Sequence, residues 1–102
     1  MINTEYNYMV DFTLPTQLSQ DFLDLVPFQR MVVNKLFEER KLLNYSFSLE
    51  KGKLWAIFSA SSEFEVMNLI ADFPLAPFMK SDIHLLSFYS DSKTHIPKFS
   101  MN

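Results

Sequence analysis

Four stretches of this chain alternate apolar with polar residues and two carry apolar residues at helical spacing, in an order that admits few folds. The first stretch sets Tyr8, Val10, Phe12 and Leu14 against Met9, Asp11 and Thr13. A period of two gives a strand with unlike faces, and Pro15 ends it. Ser19 suits a helix N-cap, and Asp21 falls in the first turn, where the helix dipole favours an anion. From Gln20 to about Arg40, Phe22, Leu25, Val26, Val32, Val33 and Leu36 recur at helical spacing. Pro27 lacks the amide hydrogen a helix interior needs, so a kink or a restart is expected there. Leu43, Tyr45, Phe47 and Leu49 then alternate with Asn44, Ser46 and Ser48 as a second strand. Gly52, the single glycine, sits in the turn before a third strand over Leu54 to Ala60 and is expected to hold a positive φ. Ser62 to Glu65 has the S-x-x-E form of a capping box, opening a helix with Phe64, Met67, Ile70 and Ala71 on one side. Phe73-Pro74 stops it, and Ile83 to Tyr89 reads as the fourth strand.

This β-α-β-β-α-β order is the ferredoxin-like arrangement, an α+β fold with a four-stranded antiparallel sheet and two helices on one face. Its 102 residues suit a single domain, with a core over about 6–89 and a polar tail over 90–102. The opposite sheet face is not wholly polar: Met9, Trp55, Ile57, Leu85 and Tyr89 are assigned to it. A chain that is 48% hydrophobic with 11 phenylalanines has apolar surface to spare. Covering that face with a second copy avoids a large exposed patch, so a homodimer packed sheet on sheet is expected.

Charge and composition exclude several classes of function. Nine Lys and Arg stand against 12 Asp and Glu, a net charge of −3, which removes the main driving force for nucleic-acid binding. With no cysteine there is no disulfide, thiol catalysis or cysteine-based metal site. One glycine cannot build a phosphate-binding loop. His84 and His95 share no metal-ligand spacing, so no metal is expected. The chain shows no apolar run long enough to insert in a membrane and no export signal, which makes the cytoplasm the expected location.

The segment Phe73-Pro74-Leu75-Ala76-Pro77-Phe78-Met79 resembles the Leu-Pro-Leu-Phe-Pro-Tyr-Met signature of muconolactone isomerases. Met9-Val10-Asp11-Phe12 with Leu14-Pro15 suits that family's first strand, and Leu36-Phe37-Glu38-Glu39 the end of its first helix. The resemblance covers roughly residues 6 to 89. It implies a dimeric α+β barrel that can assemble further and a cofactor-free proton transfer on an unsaturated lactone. Two departures weigh against that chemistry. Tyr45-Ser46-Phe47 stands where the family has Leu-Trp-Arg, so the cation is missing, and the acidic residue of the family's first helix falls near Gln29 to Met31.

A proton shuttle needs a group that changes protonation near the working pH. His84 and Asp11, on strands that should be neighbours, are the candidate pair; the plain alternative is a solvated histidine on an edge strand. Asn44, Ser46 and Ser48 form a polar stripe that could orient a small ligand, or be a solvated sheet face. Tyr45 and Trp55 could line a pocket or serve packing alone. Arg30 could clamp a carboxylate through two parallel hydrogen bonds, or point to water. Three functions follow as expectations. The chain is an isomerase of a small lactone or carboxylate, a non-catalytic small-molecule-binding or assembly module on the same barrel, or a cofactor-independent monooxygenase, the last on fold analogy alone.

Overall fold

In the computed structural model, which describes residues 5–92, the order of elements is the expected one. It runs β1 (Tyr6–Thr13), α1 (Gln20–Glu38), β2 (Leu42–Ser48), β3 (Lys53–Ala60), α2 (Glu63–Ala71), a 3₁₀ turn (Ala76–Phe78) and β4 (Lys80–Leu85). The sheet is antiparallel with strand order β2-β3-β1-β4, a ferredoxin-like α+β fold. Register decides what each face presents. Tyr8, Val10 and Phe12 of β1 stand opposite Phe58, Ala56 and Leu54 of β3, and all six are buried. Phe22, Val33 and Leu36 of α1 and Val66 and Ile70 of α2 pack on them. Phe73 seats its ring between the layers, 5.9 Å from Phe12 and 6.1 Å from Phe58. Phe22 meets Phe78 edge to face at 5.7 Å, the orientation that ring quadrupoles favour.

The helix ends follow the capping chemistry. The Ser19 hydroxyl accepts from the Phe22 amide at 3.1 Å, and the Ser62 hydroxyl from the Glu65 amide at 3.1 Å. Glu65 reaches back to the Ser61 amide at 2.7 Å, one residue earlier than a standard capping box. Its carboxylate also receives Lys41 at 3.0 Å, tying the exit of α1 to the start of α2. α1 closes with Arg40 in the left-handed region at φ 60°; its amide donates to the Phe37 carbonyl, and that of Lys41 to the Leu36 carbonyl. This is a Schellman motif with arginine where glycine is usual. Gly52 holds φ +64°, as its place in the hairpin requires.

Five local expectations need correction. α1 does not restart at Pro27 but continues through it as one helix, and because Pro27 is exposed the carbonyl it leaves unpaired can take water. In β2 a bulge between Leu42 and Asn44 takes Leu43 out of the alternation, and Leu42 replaces it in the core. α2 buries Val66 and Ile70 rather than the side that carries Phe64, Met67 and Ala71, which are exposed. β4 spans Lys80–Leu85 instead of Ile83 to Tyr89. Its last bond runs from the Leu86 amide to the Asn7 carbonyl, and β1 begins at Tyr6, so no partner strand remains beyond. Leu85 pairs with Tyr8 and so belongs to the helix side, while Tyr89 lies outside the strand. The outer apolar cluster therefore reduces to Met9, Trp55 and Ile57. Of the expected tail, residues 93–102 and with them His95 lie outside the described residues.

Candidate functional site

The helix side of the sheet encloses a pocket of about 370 Å³ between α1 and the β2–β3 half of the sheet. α1 contributes Phe22, Val26 and Val33 to its floor and Arg30, Asn34 and Phe37 along its rim. Leu14, Tyr45, Phe47 and Leu54 line it from the strand side, and Leu75 from the segment that follows α2. Only Arg30, Asn34 and Tyr45 of these carry polar side chains. An apolar hollow of this size with a few polar groups is the usual form of a small-molecule site. A second hollow of about 350 Å³ lies against the β2–β3 hairpin and shares Leu14 and Phe47 as its wall with the first.

Tyr45 is held from below. Gln29, 3% exposed, donates from Nε2 to the Tyr45 hydroxyl at 3.2 Å and accepts from the Leu75 amide at 3.1 Å. Burial pushes the Tyr45 hydroxyl above its ordinary pKa, against the opposing pull of the Gln29 hydrogen bond, so it stays protonated at neutral pH. The Phe73–Met79 segment thus has a structural role at this site. Phe73 anchors it in the core and Leu75 both lines the pocket and meets Gln29.

The candidate residues divide between the two faces of the sheet. Arg30 and Tyr45 belong to the pocket. Asp11, Asn44, Ser46, Ser48, Trp55 and His84 lie on the outer face, in register: Ser46 opposite Trp55, Trp55 opposite Asp11, Asp11 opposite Asp82, and Met9 opposite His84. Asp11 and His84 share that face but do not pair with each other. Lys53 holds Asp11 at 3.0 Å with both side chains half-buried, while His84 faces Asp82 at 3.6 Å on its own strand in an exposed pair. β4 pairs with β1 so that Asp82, not His84, comes opposite Asp11. The polar stripe has local partners of its own: the Ser46 hydroxyl donates to Asn44 Oδ1 at 2.9 Å, and Ser48 accepts from the Lys51 amide at 3.2 Å in the hairpin. Among the described residues no three His, Asp or Glu side chains gather as metal ligands, and no helix is long and apolar enough to cross a membrane.

Two polar residues at this site are not among the candidates from the sequence: Asn34, which lines the pocket, and Gln29, which stands behind Tyr45. Gln29 had a visible signal, since it continues the buried stripe Phe22, Val26, Val33 and Leu36 as its one polar member. A glutamine on a buried stripe needs partners there. Asn34 had none, because nothing local distinguishes it from a solvated helix residue.

No protein-family model matches the sequence, and no curated protein does. Among solved structures the chain is similar to a crystal structure of muconolactone isomerase, with a TM-score of 0.66 and 18% sequence identity. The match covers 83% of this chain and 97% of that one. The fold of this protein is therefore muconolactone isomerase-like.

Proposed function

We propose that this protein is a small-molecule-binding module whose ligand occupies the pocket between α1 and the β2–β3 half of the sheet. The observation that carries this reading is the lining itself: an apolar hollow with Arg30, Asn34 and Tyr45 as its only polar side chains. It suits a compact apolar molecule with one oxygen-bearing end. Arg30 and Tyr45 would hold that end, the first by charge and the second by a neutral hydrogen bond. No carboxylate or imidazole among the described residues lines this pocket, so a general base for lactone isomerisation is wanting there. That favours binding over the isomerase and monooxygenase alternatives.

The reading includes a homodimer built through the outer sheet face. Met9 and Ile57 stand opposite each other on the two central strands with Trp55 beside them, half-buried and ringed by polar side chains. A second copy would cover them and bring Asp11, Ser46 and His84 into the space between two sheets. That space is the one place where an acid–base role for His84 and Asp11 could operate.

Titration with 1-anilinonaphthalene-8-sulfonate, an apolar anion, separates the two locations. Binding should be lost in Asn34→Trp, which fills the pocket rim from an exposed position, and weakened in Arg30→Ala. It should persist in His84→Ala. Loss in His84→Ala with full binding in Asn34→Trp would move the site to the outer face.

A further inference from the structure

Apart from the phenol of Tyr8, Gln29 is the one buried polar side chain among the described residues, and both ends of its amide are committed. The Leu75 backbone amide can only donate, so the Gln29 carbonyl oxygen must face it. The Gln29 NH₂ group is thereby turned toward Tyr45, 3.2 Å from its hydroxyl oxygen. An NH₂ group has no lone pair to offer in return. Tyr45 therefore accepts from Gln29, and its single hydroxyl proton must point elsewhere. None of the described residues accepts that proton, while Tyr45 lines the pocket.

We propose that Gln29 fixes Tyr45 as a hydrogen-bond donor into the pocket, which makes the site selective for apolar ligands carrying a carbonyl or carboxylate oxygen. The inference rests on the pocket being the ligand site and adds its polarity. Protonated amines, which can only donate, meet two donors in Tyr45 and Arg30 and find the rim Asn34 carbonyl oxygen as the one amide acceptor among the lining side chains. Oxygen-bearing ligands meet a donor that has already lost its rotational freedom, since the Gln29 bond holds the hydroxyl oxygen on its other side. Gln29 touches no ligand in this arrangement; it is a positioning residue, and Tyr45 makes the contact. Interest therefore attaches to Gln29→Glu, which keeps the shape but reverses the bond. Measured above neutral pH, so that the buried side chain is ionised, a carboxylate at that position still accepts from the Leu75 amide but also accepts the Tyr45 proton, leaving only an oxygen lone pair toward the pocket.

The test compares two ligands of one shape on the full chain, 2-acetylnaphthalene and 2-isopropenylnaphthalene, in which a CH₂ group replaces the carbonyl oxygen. Binding is followed by chemical-shift changes at backbone amides of pocket residues. The ketone should bind roughly three- to tenfold more tightly, the range expected of one added neutral hydrogen bond. With the other donor removed by Arg30→Ala, Tyr45→Phe should erase the difference, and Gln29→Glu should erase it with the hydroxyl still present. Equal affinities for the unaltered protein would overturn the donor assignment and leave the pocket standing. A preference that survives in Gln29→Glu on that background would overturn it too, even if Tyr45→Phe proved too unstable to measure. Shift changes from neither ligand at the pocket would overturn the pocket reading itself, and this inference with it.

Discussion

Replacing Gln29 by leucine should cost the fold about 2 kcal/mol, although leucine is apolar, similar in size and placed on a buried helix stripe. The Leu75 amide is the larger contribution. It lies in a residue only 4% exposed and has Gln29 Oε1 as its partner at 3.1 Å, so leaving it alone costs roughly 1–3 kcal/mol. Tyr45 loses a donor, but its hydroxyl is half-buried and lines a pocket that water can enter, so that loss costs at most about 1 kcal/mol. Burying a leucine side chain offsets about 1 kcal/mol of the total. A net loss near 2 kcal/mol in a domain of this size lowers the melting temperature by roughly 10 °C. Urea unfolding, followed through the single tryptophan Trp55, measures it at one fixed protein concentration, so that any dimerisation contributes equally to both curves. Tyr45→Phe alone should cost roughly 0.5–1 kcal/mol. Because both changes remove the same bond, the double variant should lose less than the sum. A Gln29→Leu protein as stable as the original would mean that the Leu75 amide does not depend on Gln29.

Arg40→Gly should stabilise the protein by roughly 0.5–1 kcal/mol, because φ 60° at the Schellman position is free for glycine and strained for arginine, and a raised melting temperature checks it. Gly52→Ala should destabilise by about 1 kcal/mol from its φ of +64° alone, since an added Cβ would meet no atom within 4 Å, and the same melting assay reads it. Glu65 is held down to about 2 by the Ser61 amide first, then by Lys41 and the Ser61 hydroxyl. A depressed carboxyl contributes stability above its ordinary value of 4.5 and loses it as the pH falls from there through about 2, so Glu65→Gln should flatten the acid limb of a stability-versus-pH curve. Light scattering should give a dimer that Ile57→Lys dissociates, since the lysine would stand in the middle of the outer apolar cluster; a stable 12 kDa monomer for the unaltered chain would end the dimer reading.

What the sequence made legible was local chemistry with a fixed spacing. Ser19 and Ser62 cap their helices because a hydroxyl three residues before an amide can reach it, whatever the rest of the chain does. Gly52 takes its positive φ because the hairpin geometry demands it. The alternation over Tyr8 to Leu14 survives intact because β1 is a central strand with partners on both sides. Other features depend on pairing and were not legible. The β2 bulge shifts Leu42 into the core against Phe58, and nothing in Leu42-Leu43 says which leucine turns inward. α2 offers two apolar sides, and the choice of Val66 and Ile70 comes from what packs beneath them. Strand adjacency, which the order of elements predicts, brings β4 beside β1, but the register sets Asp82 opposite Asp11 and leaves His84 opposite Met9. The pocket is a space between elements, so only its polar members had any signature. Arg30 and Tyr45 stand out in the sequence for different reasons, a cation on a helix and an aromatic on a strand, and nothing local says that they share one hollow.

The most direct test of a ligand site between α1 and the β2–β3 half of the sheet is a crystal structure of the protein soaked with 2-naphthoate. Its rings should lie against Phe22, Val26 and Leu54, with the carboxylate within hydrogen-bond reach of the Tyr45 hydroxyl and the Arg30 guanidinium. Density for the ligand on the outer face, beside Asp11, Trp55 and His84, with the pocket filled only by water, would contradict the account.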